Sequence, residues 1–510
     1  MAEFESLRDY FVQRLGRNNE ERALTFFRNG NIETEISYTQ LYADSNRLAD
    51  ELLKLGVNNG DRVVLYLEKS LFFVVAHIAL QALGAVGVPL NPGFKKGEML
   101  YLLRDSDPKL ILAGVKQEKI IREIGNQFQI VTIDTNKPYQ DLQLFDSASK
   151  FRYQVKIHLD DPALIIYTSG TTGKPKGAVL TQQNLVDDAR KIIRMWEIGG
   201  SDVLCHSLPL FHIHGLCFAL NTSLLAGAHI LMLDNFSADT VAKMLGGKGS
   251  KYKCTLFMGV PSMYTRLLDH LQEEAVDLSH IRLWASGSAP LPPKEFARIK
   301  RVLGKEPVER EGMTETGMNF SNPLRGLKKA GSIGIPMPGV QVRIVNPETN
   351  QDVEPGRTGE IWLRGPSIMQ GYWRKPEETF ETFFDDWFRT GDLGHLDSDG
   401  YYFITDRRKH IIISGGENIS PKELEAVINQ CEGVTESSVV GIPDDRWGER
   451  VVAAVVRKSG AKIEPDEIYN FCKEHLLKWK CPKEVIFVSE LPRNAMGKIL
   501  KEDVKKLFEH

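Results

Sequence analysis

The sequence predicts an α/β protein built mainly on parallel sheet. Segments with helical periodicity and one charged face, such as 38–55 and 184–195, alternate with short apolar runs at 62–66, 110–113 and 163–167. Such alternation implies βαβ units. The composition agrees, because 42% hydrophobic and 26% charged residues in a chain of 510 provide a large core to bury. A chain of this length predicts two or three domains.

Residues 71–90 form the most apolar stretch of the chain. This stretch contains His77, Gln81 and Gly84, whereas a bilayer span needs about 20 predominantly apolar residues. We therefore expect a buried helix followed by a strand that ends at Pro89, and no membrane span.

The pattern changes from about Gly339. Alternating runs at 340–345, 358–364 and 400–404 are separated by Asn-Pro, Pro-Gly and Asp-Gly turns, which predict antiparallel hairpins. After Asp406, short strands and helices return. We place a domain boundary there, which gives an N-terminal domain over 1–405 and a C-terminal domain over 406–510, a normal domain size.

Charge and cysteine usage exclude several classes of partner and site. The formal charge of −3, from 64 Lys and Arg against 67 Asp and Glu, provides no general basic field for nucleic acid or an anionic membrane. Six cysteines are scattered without metal-ligand spacing and are too dilute for a disulfide framework. The N-terminus carries no secretory signal pattern. These features predict a cytoplasmic protein whose anionic ligands are bound locally.

A glycine- and hydroxyl-rich loop follows the apolar run 164–167. Glycines let backbone N–H groups approach phosphate oxygens, hydroxyls add donors and lysines supply positive charge. The loop therefore predicts a phosphate-binding site, with a polar surface hairpin as the alternative. Its candidate phosphate-binding residues are Thr168, Ser169, Gly170, Thr171, Thr172, Gly173 and Lys174.

This loop resembles the signature loop of the adenylate-forming superfamily, which includes acyl-CoA synthetases, luciferases and adenylation domains of nonribosomal peptide synthetases. Further motifs resemble that superfamily in the same order along nearly the whole chain. They are LPLFH at 208–212, SGSAPL at 286–291, GMTET at 312–316, RTGD at 389–392, DRRK at 406–409 and PRNAMGK at 492–498. The resemblance implies a large N-terminal domain with parallel-sheet subdomains and a small β-barrel-like part, plus a mobile α+β C-terminal lid.

The resemblance also implies the reaction. A carboxylate attacks the α-phosphorus of ATP to give an acyl-adenylate and pyrophosphate, and the thiol of coenzyme A then displaces AMP. The carboxylate is already ionised at neutral pH, so the chemistry needs neutralisation of phosphate charge more than it needs a base. ATP, Mg²⁺ and coenzyme A are therefore the expected cofactor and co-substrates, and a small carboxylic acid is the expected partner.

Site residues follow from the same resemblance. Glu315 and Thr171 are implied for Mg²⁺, Ser288 and Thr314 for the nucleotide, Asp392 for the ribose hydroxyls and Arg407 for the ribose-phosphate region. Lys498 is implied as the catalytic lysine of adenylation and Lys409 as the hinge of the lid. Catalysis is further assigned to Glu315, Thr171 and His212. Ser414, Gly415 and Gly416 resemble the loop that lines the channel for coenzyme A. One departure is Glu311, which stands where the family commonly has an aromatic residue beside adenine.

For the acid, the resemblance is closest to malonyl-CoA synthetases, on the segments MGVPSMYTRLL at 258–268, SGSAPL at 286–291 and GMTETGMNFSNP at 312–323. The apolar residues of the first segment, Val260, Met263, Tyr264 and Leu267, are expected to line the acid pocket. We interpret Arg266 as the partner of a second carboxylate, because a buried carboxylate without a cation costs several kcal/mol and Arg provides a bidentate partner. Ser288, His212 and Arg310 complete the predicted acid site. In the alternative interpretation, Arg266 is a surface residue on an amphipathic helix that begins at Pro261.

Two other functions remain open at this point. One is a medium- or long-chain fatty acyl-CoA synthetase, which would need a long and wholly apolar acid pocket. The other is a nucleotide-binding relative that has lost the chemistry, although Lys498, Glu315 and Asp392 argue against it.

Overall fold

The structure is a computed structural model that describes residues 6–16, 20–142, 156–168, 174–247, 251–272, 276–414, 417–444, 446–494 and 497–509. The chain forms two compact units. The first comprises Met1–Gln341 and Arg364–Phe388, and the second comprises Val342–Leu363 and Arg389–His510. By its contacts, the second unit thus includes residues before 406 as well as the segment predicted to form the lid. Movement of residues 406–510 as a lid stays a prediction.

Helices and strands alternate over most of the chain. The α-helices are α1 (Leu7–Leu15), α2 (Tyr38–Lys54), α3 (Leu71–Leu83), α4 (Lys96–Ser106), α5 (Val115–Ile124), α6 (Gln182–Trp196), α7 (Thr222–Ala226), α8 (Ala238–Leu245), α9 (Pro261–Leu271), α10 (Pro293–Leu303), α11 (Pro376–Thr382), α12 (Pro421–Ile428), α13 (Pro465–His475) and α14 (Lys501–Lys506). A π-helix covers His214–Asn221, and short 3₁₀-helices cover Tyr139–Asp141 and Arg408–His410.

The strands are β1 (Arg22–Arg28), β2 (Asn31–Ser37), β3 (Arg62–Tyr66), β4 (Val86–Pro89), β5 (Leu110–Gly114), β6 (Ile130–Ile133), β7 (Pro162–Thr168), β8 (Lys176–Thr181), β9 (Val203–His206), β10 (His229–Leu233), β11 (Leu256–Gly259), β12 (Leu283–Ser286), β13 (Val308–Met313), β14 (Gly317–Ser321), β15 (Ile335–Pro336), β16 (Gln341–Val345), β17 (Gly359–Arg364), β18 (Gly371–Tyr372), β19 (Phe383–Phe384), β20 (Trp387–Leu396), β21 (Tyr402–Arg407), β22 (Ile412–Ser414), β23 (Glu417–Ile419), β24 (Val434–Asp444), β25 (Gly448–Arg457) and β26 (Glu484–Val488).

Two largely parallel sheets form the first unit. A nine-stranded sheet has the order β15-β14-β13-β12-β11-β9-β10-β1-β2, and a seven-stranded sheet has the order β18-β8-β7-β4-β3-β5-β6. In the nine-stranded sheet, β9 to β13 are parallel neighbours of one another. Their carboxyl ends therefore meet at one edge, where ligands bind in open α/β sheets.

Helix α3 illustrates how local sequence sets an element. Ser70 accepts a hydrogen bond from the Phe73 N–H at its start, and Gly84 ends it with a left-handed φ of 70°. All residues of α3 are buried, as its apolar sequence predicts, and β4 follows and ends at Pro89. Among the described residues, no helix is both long enough and apolar enough to cross a membrane.

The second unit contains two smaller sheets. Strands β16, β17, β20 and β21 belong to a five-stranded sheet that also includes β19, and β20 and β21 are antiparallel. The other has the order β23-β22-β25-β24, with β26 parallel to β25. Val439 and Val451 face α12 and α13 on one side of that sheet, whereas Val440 and Val452 face α14 on the other. Because successive side chains of a strand point to opposite faces, each face of this sheet packs against its own hydrophobic core.

Candidate active site

The phosphate loop connects two antiparallel strands. Strand β7 ends at Thr168 and β8 begins at Lys176, with Thr168 and Lys176 paired in register. The ammonium of Lys174 lies 5.6 Å from the centre of the Tyr101 ring, and the Tyr101 hydroxyl donates to the Pro175 carbonyl at 2.9 Å. Helix α4 therefore holds the C-terminal arm of the loop. The predicted residues Ser169, Gly170, Thr171, Thr172 and Gly173 lie outside the described residues.

Glu315 is buried beside the start of that loop. The Thr168 hydroxyl donates to its Oε1 at 3.2 Å and the Tyr372 hydroxyl donates to the same oxygen at 3.1 Å. The Glu315 carbonyl accepts the Met369 N–H at 2.7 Å, which fixes the backbone as well. Both hydroxyls donate to Oε1, so Oε2 is the carboxylate oxygen left for a ligand.

This arrangement fits Mg²⁺ bound through a substrate. The described residues contain no cluster of three or more His, Cys, Asp or Glu side chains that could hold a metal on their own. Mg²⁺ in nucleotide enzymes is usually held by one or two carboxylates together with substrate phosphates and water. Glu315 provides one such carboxylate, and the predicted second residue, Thr171, lies outside the described residues.

The hairpin of β13 and β14 carries the GMTET motif. Thr314 is half-buried in its turn, next to Glu315. Glu311, at the position where the family commonly has an aromatic residue, accepts a hydrogen bond from the Asn319 amide at 3.1 Å. A bulge separates Glu311 from Gly312 in the strand register, so the backbone at this predicted adenine position is irregular.

Arg310, on the same strand, is the most unusual charged residue of the first unit. It is 2% exposed, and its Nε, Nη1 and Nη2 have no hydrogen-bond partner among the described residues. Its guanidinium packs 5.1 Å from the ring centre of Phe218 and against the Cα of Gly287, where an added Cβ would lie 2.5 Å from Nε. Burial lowers the pKa of Arg310 to about 10, so it is still protonated at neutral pH.

Ser288 and His214 lie close to this guanidinium, and His212 interacts electrostatically with His214. The Ser288 hydroxyl is hydrogen-bonded to Nδ1 of His214 at 3.1 Å, and Ser288 holds a left-handed φ of 69°. Such a φ in a residue other than glycine stores strain and is typical of functional sites. Burial, and then the charge of Arg310, lower the pKa of His214 well below its usual value. Burial lowers the pKa of His212 to about 4, so both imidazoles are neutral at pH 7.

The prediction that Arg266 lies in a water-poor acid pocket is wrong. Arg266 lies on the exposed face of α9, and its guanidinium covers the ring of Phe236 with 4.9 Å to the ring centre. Tyr264 and Leu267, which were expected to line the pocket, are buried in the core between helix and sheet. Arg266 is thus a surface residue of an amphipathic helix that begins at Pro261.

In the second unit, Asp392 and Arg407 form a bidentate ion pair across β20 and β21. Nε of Arg407 lies 2.7 Å from Oδ1 of Asp392, and its Nη2 donates to Oδ2 at 3.2 Å. The Asp392 side chain is buried, whereas Arg407 is partly exposed. The structure therefore brings together two residues that the motifs assign to the ribose, and the carboxylate is occupied by the guanidinium.

Lys498 and Lys409 lie in the same charged cluster of the second unit. The Asn494 side chain accepts the Lys498 N–H at 3.0 Å, and the Asn494 N–H donates to the Lys498 carbonyl at 2.9 Å, which holds the loop. Although much of Lys498 is exposed, desolvation of its ammonium and the neighbouring Arg407, Lys409 and Lys422 lower its pKa to about 8. Lys409 is exposed in the 3₁₀-helix that follows β21.

Ser414 ends β22 and is buried, paired in register with Glu417 and with Gly448. The other two residues assigned to coenzyme A, Gly415 and Gly416, lie outside the described residues. Their predicted role therefore stays a prediction, as do the roles of Lys498 and Lys409.

Sequence reasoning missed His214 and Tyr372. His214 begins the π-helix, a rare conformation that is frequent at functional sites, and two histidines at 212 and 214 in one short segment were the available signal. Tyr372 is distant in sequence from Glu315 and belongs to β18, a strand of two residues that no sequence pattern indicated. Its contact with Glu315 depends on the pairing of β18 with β8.

Comparisons with known proteins identify the family of the chain. Residues 11–373 match the AMP-binding enzyme family, and residues 423–498 match the AMP-binding enzyme C-terminal domain. The mitochondrial malonate–CoA ligase of Bos taurus is 35% identical over 93% of this chain and 87% of its own length. A long-chain-fatty-acid–CoA ligase of Bacillus subtilis is 33% identical over 92% of this chain and 89% of its own length.

Among solved structures, ATP-bound MatB from Rhodopseudomonas palustris is 36% identical, covers 99% of both chains and superposes with a TM-score of 0.92. These findings confirm the predicted superfamily, the α/β fold class with a large N-terminal and a smaller C-terminal domain, and the enzyme class of AMP-forming acid–CoA ligase. ATP, Mg²⁺ and coenzyme A are accordingly its cofactor and co-substrates. The chain belongs to the AMP-binding enzyme family.

Proposed function

We propose that this ligase activates short dicarboxylic acids, with malonate first and methylmalonate second, and that Arg310 binds the carboxylate that does not react. One observation carries the proposal. The guanidinium of Arg310 is buried, is protonated at neutral pH and has no hydrogen-bond partner among the described residues. A buried charge without a partner costs several kcal/mol, and native proteins keep such a group where a ligand completes it.

The surroundings of Arg310 favour a second carboxylate over an alkyl chain. A carboxylate accepts two parallel hydrogen bonds from a guanidinium, which gives both affinity and orientation. Ser288 adds a hydroxyl beside it, and His214 adds an uncharged imidazole. A fatty acid at the same place would leave the guanidinium unpaired, and a site that loses a buried polar partner rejects the wrong substrate strongly.

The remaining residues take the following roles in the proposal. The acid's other carboxylate attacks the α-phosphorus of ATP, and pyrophosphate leaves. Thr168, Lys174 and the rest of the loop bind phosphate oxygens, and Oε2 of Glu315 binds Mg²⁺, which neutralises phosphate charge when bound. Lys498 stabilises the charge that develops during this step, before the thiol of coenzyme A displaces AMP. The rotation of the lid about Lys409 between the two half-reactions is part of the proposal.

Overall similarity does not choose the acid. A malonate–CoA ligase and a long-chain-fatty-acid–CoA ligase are similar to this chain at 35% and 33% identity. The buried guanidinium is therefore the basis for choosing between them. For location we propose the cytoplasm, because all six cysteines are buried free thiols, as expected in a reducing compartment.

The test compares acids of similar shape and different charge. Pyrophosphate release is measured with ATP, coenzyme A and either malonate, methylmalonate, octanoate or 3-methylbutyrate, in which two methyl groups replace the oxygens of one malonate carboxylate. We expect malonate to give the highest kcat/KM. Preference for octanoate would support a fatty acyl-CoA synthetase, and no pyrophosphate release with any acid would support a relative that has lost the chemistry.

A matched pair of variants then tests the residue. Arg310→Met should lower kcat/KM for malonate roughly thirty-fold to several thousand-fold, which corresponds to about 2–5 kcal/mol of lost transition-state stabilisation. The variant should leave kcat/KM for 3-methylbutyrate unchanged or improved. Arg266→Met serves as the control, because that arginine lies on the surface of α9. Loss of malonate turnover in the Arg266 variant and not in the Arg310 variant would contradict the assignment.

A further inference from the structure

A buried ion pair on α6 has no role in the reaction described so far. Nζ of Lys191 lies 2.9 Å from Oδ1 of Asp188, and these side chains are only 2% and 4% exposed. Buried ion pairs are weak evidence for stability, because desolvation of both charges offsets their attraction. A pair this deeply buried, close to a candidate substrate site, therefore calls for another explanation.

Asp188 is held against the hairpin that carries Arg310. Its Oδ1 accepts the Met318 N–H at 2.9 Å, and an added Cβ on Gly317 would lie 2.5 Å from the same oxygen. Met318 pairs with Gly312 in the β13–β14 register, and Arg310 lies two residues before Gly312 on β13. The second carboxylate oxygen, Oδ2, is buried and has no hydrogen-bond partner among the described residues.

Lys191 is the cation that balances Asp188. Besides the carboxylate, its ammonium donates to the Ser367 hydroxyl at 2.6 Å, and that hydroxyl donates to the Thr316 carbonyl at 2.9 Å. The charges of Glu311 and then of Asp188 also act on Arg310, because both oppose the lowering of the Arg310 pKa that burial causes. The Asp188 carboxylate thus interacts with two buried cations and is in direct contact with Lys191, whose ammonium also lies 4.0 Å from Oδ2 of the partly exposed Asp187.

We infer that Lys191 is a positioning residue for acid selection: by pairing with Asp188, it keeps that carboxylate from pairing with Arg310, whose guanidinium stays available to the second carboxylate of the substrate. This inference rests on the proposed dicarboxylate specificity. It extends the acid site to α6, a helix whose side chains are not expected to touch the acid.

The reasoning is one of charge balance in a region from which water is excluded. Without the Lys191 ammonium, Asp188 would be a buried anion with an unpartnered oxygen, at a cost of several kcal/mol. Arg310 is a second buried cation that interacts with Asp188, and its donors have no hydrogen-bond partner in the described residues. An ion pair between Asp188 and Arg310 would offset the desolvation cost of both buried charges. The substrate carboxylate would then have to displace Asp188 to reach the guanidinium.

The test is the ratio of kcat/KM for malonate to that for 3-methylbutyrate. Lys191→Met should lower this ratio about ten- to hundred-fold, because only malonate needs a free guanidinium. Lys191→Gln tests the same point in a variant that retains an amide able to donate to Ser367 and Asp188. The double variant Lys191→Met/Asp188→Asn removes both charges and should return the ratio to within about five-fold of the wild type.

Lys243→Met is the matched control, since Lys243 pairs with Asp239 at 2.7 Å on the exposed surface of α8. We expect it to leave the ratio unchanged. The inference would be overturned if the Lys191 variants lost kcat/KM equally for both acids, or if the double variant kept the low ratio of Lys191→Met. Either result would assign the ion pair a structural role. Failure of the proposed function gives a different result, because wild-type enzyme would then show no preference for malonate.

Discussion

Replacing Arg310 with methionine should raise the free energy of unfolding of the ligand-free protein. The same replacement should abolish malonate binding. Burial lowers the Arg310 pKa to about 10, and at 1.36 kcal/mol for each pKa unit this corresponds to a penalty of about 3 kcal/mol for the folded protein. The variant loses the cation–π contact with the Phe218 ring, and such a contact is worth about 2 kcal/mol when it is desolvated. It loses no hydrogen bond, because the guanidinium makes none with the described residues. The expected net gain is about 1 kcal/mol.

The assay is thermal unfolding with and without malonate, in the presence of a non-hydrolysable ATP analogue. A gain of about 1 kcal/mol should raise Tm of the free variant by about 1–3 °C. In the wild type, malonate at about 100 times its Kd adds about 2.7 kcal/mol and raises Tm further, whereas the variant should show no rise with malonate. A free variant that melts several degrees below the wild type would show that the guanidinium is already paired, and the reasoning would be refuted.

Three further predictions follow from other parts of the two units. With a Lys498 pKa of about 8, kcat/KM for ATP in pyrophosphate release should fall as pH rises through 8, because the ammonium loses its proton. Lys498→Arg should shift this fall to higher pH. A fall at the same pH in the variant would exclude Lys498 as its source. Lys409→Pro should spare pyrophosphate release and block thioester formation from supplied acyl-adenylate, since proline restricts the backbone; equal loss of both would contradict the hinge. Gly287→Ala should lower malonate kcat/KM about ten-fold or more by pushing on Arg310, with Gly199→Ala, where a Cβ meets nothing within 4 Å, as a control that keeps activity.

Local periodicity was enough to predict several elements of the fold. Strand β3 runs from Arg62 to Tyr66 as expected, and α2 covers nearly all of 38–55. These elements are set by the spacing of apolar residues and by caps within a few positions, which a sequence displays directly. Sequence could not predict that the phosphate loop connects two antiparallel strands, because the β7–β8 pairing is a property of the whole sheet.

The acid site shows the limit of that approach. Tyr264, Leu267 and Leu268 form the buried face of α9, and the helical period of 3.6 places Arg266 on the opposite face. The periodicity was therefore correct and the motif-based role was not. Arg310 gave no comparable local signal, since its burial depends on Phe218 and Gly287, which belong to other elements.

The π-helix at His214–Asn221 gives the proposed acid site an unusual genetic sensitivity. A π-helix contains one residue more than an α-helix of equal length, and the backbone here closes with the Thr222 N–H on the Cys217 carbonyl, five residues back. Loss of a single codon in this segment would restore an α-helix and turn the preceding residues by about 100° relative to those that follow. Phe218 packs on Arg310, and His214 is hydrogen-bonded to Ser288. We therefore expect one in-frame deletion in this segment to alter the selection of acids without changing any residue that binds ATP.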